Sequence, residues 1–376
     1  MNKVNNLPSI TVEIFTRIVE AQFREKNYRP IFGLGKGGIG KTESIKDLTT
    51  KLGIGYVDIR LLLYSETDLK GIPYPNAEHT KTVWLQNNIL PTVEKDGETG
   101  ILVLDEITSC SRSVRTAAYQ LLNERRLGEY VLPDGWLIVC LGNGEEDGGD
   151  YNGIEGNFAN RCSVFNVVVD TESWKNWATA HGINELVMAF ISFKPEYLHS
   201  FDPDKETDIL FASPRSWTGV SDIINYAGYN RDDFVLQSRI IGNVGKLVGD
   251  TFIAFCRYKD DTVDPMEILK GNTTIKFNKH EVLLITIQSC VKMLSERLAR
   301  ESAAKQLTVE SIQYVANFTT WLLTSTSLDN AVMGLKDLLR NNKEAIKAII
   351  LNPNSNFRAL CPEWSKFISE HGDILF

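Results

Sequence analysis

Gly35-Lys36-Gly37-Gly38-Ile39-Gly40-Lys41-Thr42 reads G-x-x-x-x-G-K-T, the spacing of a phosphate-binding loop. The residues before it, Tyr28-Arg29-Pro30-Ile31-Phe32-Gly33-Leu34, can supply a buried strand. Those after it, Glu43-Ser44-Ile45-Lys46-Asp47-Leu48, suit a helix. Strand, glycine loop, helix is the context the motif needs. Glycines 35, 37, 38 and 40 let backbone N–H groups turn inward around an anion. The helix N-terminus adds partial positive charge. In that setting Lys41 neutralises β- and γ-phosphates and Thr42 offers its hydroxyl to Mg²⁺. The bland alternative is a glycine-rich turn with a chance Lys-Thr, and the flanks argue against it.

A second motif follows about 60 residues on. Ile101-Leu102-Val103-Leu104-Asp105-Glu106 is an apolar run ending in two acids. A fully buried parallel strand is apolar throughout, and ligands of such sheets sit at the strands' carboxyl ends. This predicts Asp105 by the Mg²⁺ and Glu106 beside the γ-phosphate, polarising the attacking water. Trp136-Leu137-Ile138-Val139-Cys140-Leu141-Gly142-Asn143 is another buried strand, which brings Asn143 to the same edge. An amide there can orient a water or touch the γ-phosphate; the alternative is a loop-capping Asn.

The flanking segments follow the same logic. Residues 9–26 read as one amphipathic helix on Ile10, Ile14 and Ile18, capped by Ser9 or Thr11. Tyr56–Arg60 reads as a strand, Ile72–Pro75 as a proline-punctuated loop, and residues 82–94 as a helix that Pro91 interrupts. A helix is expected over 111–126, then a hairpin over 127–135 turning at Pro133-Asp134-Gly135. Glu145–Asp150 is an acidic, glycine-rich loop, and Ser163–Val169 a fifth strand. From residue 171 the pattern is helical, with helices expected around 231–257, 280–304, 308–325, 328–340 and 342–350. The division is therefore 1–170 as an α/β nucleotide-binding core, 171–258 as a helical lid and 259–376 as a C-terminal helical region.

Composition narrows the function classes. The chain has 376 residues with 43% hydrophobic and 23% charged, an ordinary globular balance. Its net charge of −8 argues against a generally basic, nucleic-acid-coating surface. The six cysteines form no C-x-x-C and read as buried thiols in a reducing compartment. The start lacks a signal-peptide core and no apolar run can span a bilayer, so the reading is a soluble cytoplasmic protein with no membrane partner.

Together these pieces resemble the AAA+ ATPases, and within them the MoxR-like group. The resemblance covers residues 9–258 and is carried by Gly35–Thr42, Leu102–Glu106, Leu141-Gly142-Asn143, Asn160-Arg161-Cys162 and Ser213-Pro214-Arg215-Ser216-Trp217. It implies a five-stranded parallel sheet with helices on both faces, then a helical lid. It implies ATP and Mg²⁺ as ligands. The nucleotide-binding set is Gly35, Gly37, Gly38, Ile39, Gly40, Lys41, Thr42 and Glu43, with Thr42 and Asp105 serving the metal. Glu106 activates water, Asn143 is the first sensor and Arg215 the second. Arg161 takes the place of the arginine finger that acts on a neighbour's ATP, which implies a homo-oligomeric ring, usually a hexamer. Relatives commonly have Asp-Arg-Phe where this chain has Asn160-Arg161-Cys162, so Arg125 and Arg126 compete for that role.

The leading function is a chaperone-like ATPase that remodels or assembles a protein partner, with a von Willebrand factor A domain protein as the partner the resemblance implies. The alternative is a nucleic-acid-directed motor of a restriction, defence or phage system, needing a basic pore from Lys70, Arg112, Arg115, Arg125 and Arg126. A nucleotide-gated scaffold that hydrolyses poorly is a third class, and Glu106 argues against it. The guanine-reading N-K-x-D is absent, which favours ATP over GTP.

Overall fold

The computed structural model describes residues 7–85, 87–144, 160–201, 210–304, 306–351 and 355–375. The chain divides into two compact units, Met1–Ser173 with Phe201–Glu206, and Trp174–Ser200 with Thr207–Phe376. In chain order the first unit carries β1 (Ser9–Thr11), α1 (Val12–Arg24), β2 (Ile31–Leu34), α2 (Lys41–Leu52), β3 (Gly55–Arg60), α3 (Glu66–Lys70), β4 (Ile72–Pro75) and β5 (Thr82–Leu85). Then come α4 (Val93–Asp96), β6 (Thr99–Asp105), α5 (Arg112–Glu124), β7 (Arg126–Leu127), β8 (Tyr130–Val131), β9 (Gly135–Gly142) and β10 (Ser163–Val168).

The main sheet has six strands in the order β1-β10-β2-β9-β6-β3, every pair parallel. Its strands alternate between two apolar layers. Leu102, Leu104, Ile138 and Cys140 pack with Val114, Ala118 and Leu121 of α5 on one face. Ile101, Val103, Val139 and Leu141 pack with Phe15 and Val19 of α1 and Ile45 and Leu48 of α2 on the other. Burial on both faces is why these strands read as unbroken apolar runs. It also sets all strand carboxyl ends along one edge, where ligands of parallel sheets bind.

Four expectations need correction. The sheet has six strands rather than five, because Ser9–Thr11 pairs with Asn166–Val168 instead of opening the helix. The helix starts only at Val12, where the Thr11 hydroxyl accepts from the Ile14 N–H at 3.3 Å. Ile72–Pro75 and Thr82–Leu85 are not loop and helix but an antiparallel hairpin, with Tyr74 opposite Val83. β-branched and aromatic residues favour strand there, and a two-stranded ribbon leaves open edges where Pro73 and Pro75 need donate nothing. The hairpin near residue 130 turns at Gly128-Glu129, between paired Leu127 and Tyr130, not at Pro133-Asp134-Gly135. Gly128 supplies the left-handed backbone (φ 61°) that so short a turn requires.

The helical part comprises α6 (Thr171–Ala180), α7 (Glu185–Phe193), α8 (Pro214–Ala227), α9 (Phe234–Val244), α10 (Lys246–Cys256), α11 (Pro265–Leu269), α12 (His280–Ala303), α13 (Val309–Ser325), α14 (Leu328–Leu351), α15 (Phe357–Leu360) and α16 (Glu363–Leu375). Non-helical Asn342 (φ −116°) breaks α14 where the sequence pattern separates two helices. Within the second unit α12 packs on both α7 and α14. A buried ionic group joins α6, α12 and α14. Lys175 Nζ lies 3.4 Å from the Asp337 carboxylate, which also takes Arg340 and the Gln288 amide. The acidic loop Glu145–Asp150 lies outside the described residues. All six cysteines are buried, and no described helix is long and apolar enough to cross a membrane.

Candidate active site

β2 ends at Leu34 and the chain turns at once into the glycine loop. Gly35 has no room for a side chain: a Cβ would lie 2.1 Å from the Val167 carbonyl oxygen. Its N–H donates to Gly142 O at 3.1 Å, stitching the loop to β9. Gly38 (φ 74°) and Gly40 (φ 95°) take left-handed backbone, and Gly40 caps α2. These are conformations that glycine adopts without steric cost. Ile39 is buried in the core and anchors the loop from below. Glu43 is exposed and lies 3.7 Å from Lys46.

Lys41 is 93% buried at the head of α2, a position an ammonium occupies only with partners. Its Nζ donates to the carbonyls of Gly35 (2.6 Å) and Lys36 (2.8 Å) and lies 3.5 Å from Asn143 Oδ1. The ammonium thus spans the mouth of the loop. The Thr42 hydroxyl donates to Asp105 Oδ2 at 2.7 Å, joining the phosphate loop to the end of β6. The other oxygen, Asp105 Oδ1, accepts the Glu106 N–H at 2.8 Å. Glu106 itself sits at φ 56°, left-handed backbone that a residue with a side chain enters at a cost of roughly 1 kcal/mol or more. Asp105 and Glu106 are both half-buried.

One residue joins this acidic turn to Asn143. Thr108 is 1% exposed, and its hydroxyl accepts the Asn143 N–H at 3.1 Å. A side chain at Gly142 would come within 2.7 Å of the Thr108 methyl, so glycine permits the approach. Ile107 N–H donates to Leu141 O at 3.1 Å and completes the cross-link. The Gly142-Asn143 dipeptide is therefore bonded to the phosphate loop on one side and to the acidic turn on the other. Asp58, on the neighbouring strand β3, also belongs to this edge. Burial raises its pKa, Asp105 and Glu106 push it further up, and Arg60 opposes them. The Tyr56 phenol is raised by burial, then by Asp58 and Asp105. Neither Thr108 nor Asp58 was singled out in the sequence, where each is one polar residue in or after an apolar strand.

Lys41, Thr42, Asp105, Glu106 and Asn143 thus come together. Arg161 does not join them. It precedes β10, so the parallel topology puts it at the sheet's amino edge. Six strand residues span about 20 Å, more than an arginine side chain reaches. Its side chain is exposed and makes no hydrogen bond or ion pair with the described residues. With Tyr28, Pro30, Leu122, Asn123 and Arg125 it lines a cavity of about 560 Å³. Next to it, burial pushes the Cys162 thiol up to about 12, against the opposing charge of Arg29.

The competing arginines separate clearly. Arg125 closes α5 in left-handed conformation (φ 53°), and its Nη2 donates to the carbonyls of Pro133 (2.8 Å) and Trp136 (2.8 Å). Its guanidinium also sits 5.6 Å from the Tyr28 ring centroid. Those bonds tie Nη2 to the backbone beyond the β7–β8 hairpin, while Nη1 is buried with no hydrogen-bond partner among the described residues. Arg126 is exposed on β7. Arg215 is exposed in the first turn of α8, behind a Ser213–Ser216 capping box and in the other unit.

Among the described residues no group of three or more His, Cys, Asp or Glu could hold a metal by itself. The Thr42–Asp105 pair suits a different use. Mg²⁺ in phosphate sites takes one or two protein oxygens and completes its shell with water and phosphate. A hydroxyl and a carboxylate 2.7 Å apart beside a glycine cradle match that donor set.

No protein-family model and no curated protein matches this chain. Among solved structures it is similar to a Cytophaga hutchinsonii protein provisionally named an ATPase, at 12% identity and TM-score 0.32, over 85% of this chain and 78% of that one. It is also similar to two single-substitution variants of Thermotoga maritima RuvB, at 12% identity and TM-scores of 0.34 and 0.35, over 69% of this chain and 74% of theirs. Likeness at this level fixes neither family nor activity.

Proposed function

We propose that this chain is an ATPase of the AAA+ kind, resembling the MoxR-like group in its motifs, that works as a ring and couples hydrolysis to remodelling or assembling a protein partner. The observation that carries the ATPase reading is the junction of Thr42 with Asp105 at 2.7 Å beside the Lys41 ammonium. Two motifs 63 residues apart meet there with hydroxyl, carboxylate and ammonium in one place.

In this reading the loop's backbone N–H groups and Lys41 hold the β- and γ-phosphates, and the Gly35 and Lys36 carbonyls keep the ammonium aimed. Thr42 and Asp105 would hold Mg²⁺, which supplies charge neutralisation on the phosphates when bound. Glu106 accepts a proton from the attacking water, and Asn143 orients that water or the γ-phosphate. Arg161 supplies positive charge to the ATP of a neighbouring copy, since its own phosphate loop lies at the opposite sheet edge. Arg215 is proposed as the second sensor, residues 171–258 as the lid and residues 259–376 as the partner-binding region.

The nucleic-acid alternative loses most of its basic candidates. Arg115 is buried, Lys70 is paired with Glu66, and Arg125 is bonded to carbonyls. A Glu106→Gln chain, which should hold ATP without turning it over, tests the partner class. Protein captured on it in ATP and released in ADP supports the proposal; nuclease-sensitive capture, or ATPase stimulated by DNA, contradicts it.

A further inference from the structure

We infer that Arg29 is the positioning residue that presents Arg161 to the ATP of a neighbouring copy, an inference that rests on the proposed trans-acting role of Arg161. Among the described residues, the backbone around Arg161 is tied by Arg29 and Pro30. Arg29 Nη2 donates to the carbonyl of Asn160 at 2.9 Å and to that of Cys162 at 3.3 Å, the two residues flanking Arg161. The next residue, Ser163, donates its N–H to Pro30 O at 2.9 Å. Three bonds from a two-residue strap thus fix the four residues 160–163.

The strap is itself fixed. Gln22 of α1 donates Nε2 to Arg29 O at 2.7 Å and to Asn27 O at 3.2 Å. Cys162 is 4% exposed and packed in the core, pinning the backbone on the other side of Arg161. With both flanking carbonyls turned toward Arg29 and Cys162 turned inward, the Arg161 side chain is left exposed at the sheet's amino edge.

A guanidinium suits this work. It is planar and permanently charged, and the two N–H groups of Nη2, fixed in that plane, serve both carbonyls. A lysine ammonium can also bond two carbonyls, as Lys41 does, but its N–H groups are not fixed in a plane. Charge placed for a transition state is worth most when its position is set in advance. The cost of losing Arg29 therefore falls on turnover, not on nucleotide binding, because the phosphate loop lies at the other end of the strands.

The test uses the full-length chain as Arg29→Ala, Arg29→Lys, Arg161→Ala and Glu106→Gln. Fluorescent-ATP binding and the KM for ATP should stay within about twofold of wild type in Arg29→Ala, while kcat falls by about tenfold or more. Arg29→Lys should fall between the two. The decisive readout is a 1:1 mixture of Arg29→Ala with Glu106→Gln. The first has an intact Glu106 and the second an intact Arg29–Arg161 pair, so the mixture should exceed the summed activity of its parts. A loss in Arg29→Ala that the mixture does not rescue means a general folding role and overturns the inference. Wild-type kcat in Arg29→Ala beside an inactive Arg161→Ala also overturns it, while leaving the trans-acting reading intact. Full activity in Arg161→Ala overturns that reading itself.

Discussion

Replacing Thr108 by valine removes one hydroxyl from the centre of the site and little else. Valine keeps the shape and the methyl that packs against Gly142. The lost atom is the acceptor of the Asn143 N–H at 3.1 Å. A donor left without its partner costs about 1–3 kcal/mol. Asn143 is half-buried, so water recovers part of that, leaving about 1–2 kcal/mol. If the bond holds Asn143 in its working position, the loss appears in the barrier as a kcat lower by about 5- to 30-fold. Phosphate release at saturating ATP measures it, with fluorescent-ATP binding as the control for an intact loop. Thr108→Ser restores the hydroxyl and should return most of the rate. A folded Thr108→Val chain with kcat within about twofold of wild type would refute the coupling of the acidic turn to Asn143.

Other perturbations test other parts. Lys41→Ala should abolish ATP binding by equilibrium titration, and normal affinity would sink the phosphate-loop assignment. Arg125→Ala removes the donor to Pro133 O and Trp136 O and should cost about 1.5–3 kcal/mol in denaturant unfolding. Unchanged stability together with lost activity would instead mark Arg125 as the arginine that acts on the neighbour. Asp337→Ala takes the carboxylate from buried Lys175 and Arg340 and should destabilise the helical unit by about 3–5 kcal/mol. A loss below about 1 kcal/mol would mean that the group contributes little to holding α6, α12 and α14 together.

Much of the candidate site was legible in the sequence. Buried parallel strands are apolar on both faces, so Ile101–Leu104 and Trp136–Leu141 announce themselves, and parallel pairing carries Asp105 and Asn143 to one edge. Elements defined by pairing rather than by their own pattern stayed hidden. Ser9–Thr11 merges with the periodicity of α1, and only β10 makes it a strand. Thr82–Leu85 has the apolar spacing of a short helix until Ile72–Pro75 lies beside it. Arg125 and Arg126 look equivalent in sequence. A left-handed turn at Arg125 sends its side chain to the carbonyls of Pro133 and Trp136 and leaves Arg126 exposed. Thr108 and Arg29 act through backbone groups distant in sequence, Asn143 N–H in one case and the Asn160 and Cys162 carbonyls in the other. One-dimensional spacing carries no trace of such bonds.

The central claim is that this edge hydrolyses ATP with Glu106 as the base. Phosphate release by wild type and by Glu106→Gln, each with ATP affinity measured in parallel, tests it most directly. The account predicts turnover in wild type, and in Glu106→Gln unimpaired ATP binding with a rate lower by about 100-fold or more. Equal rates in the two chains, or no ATP binding by the wild type, would contradict it.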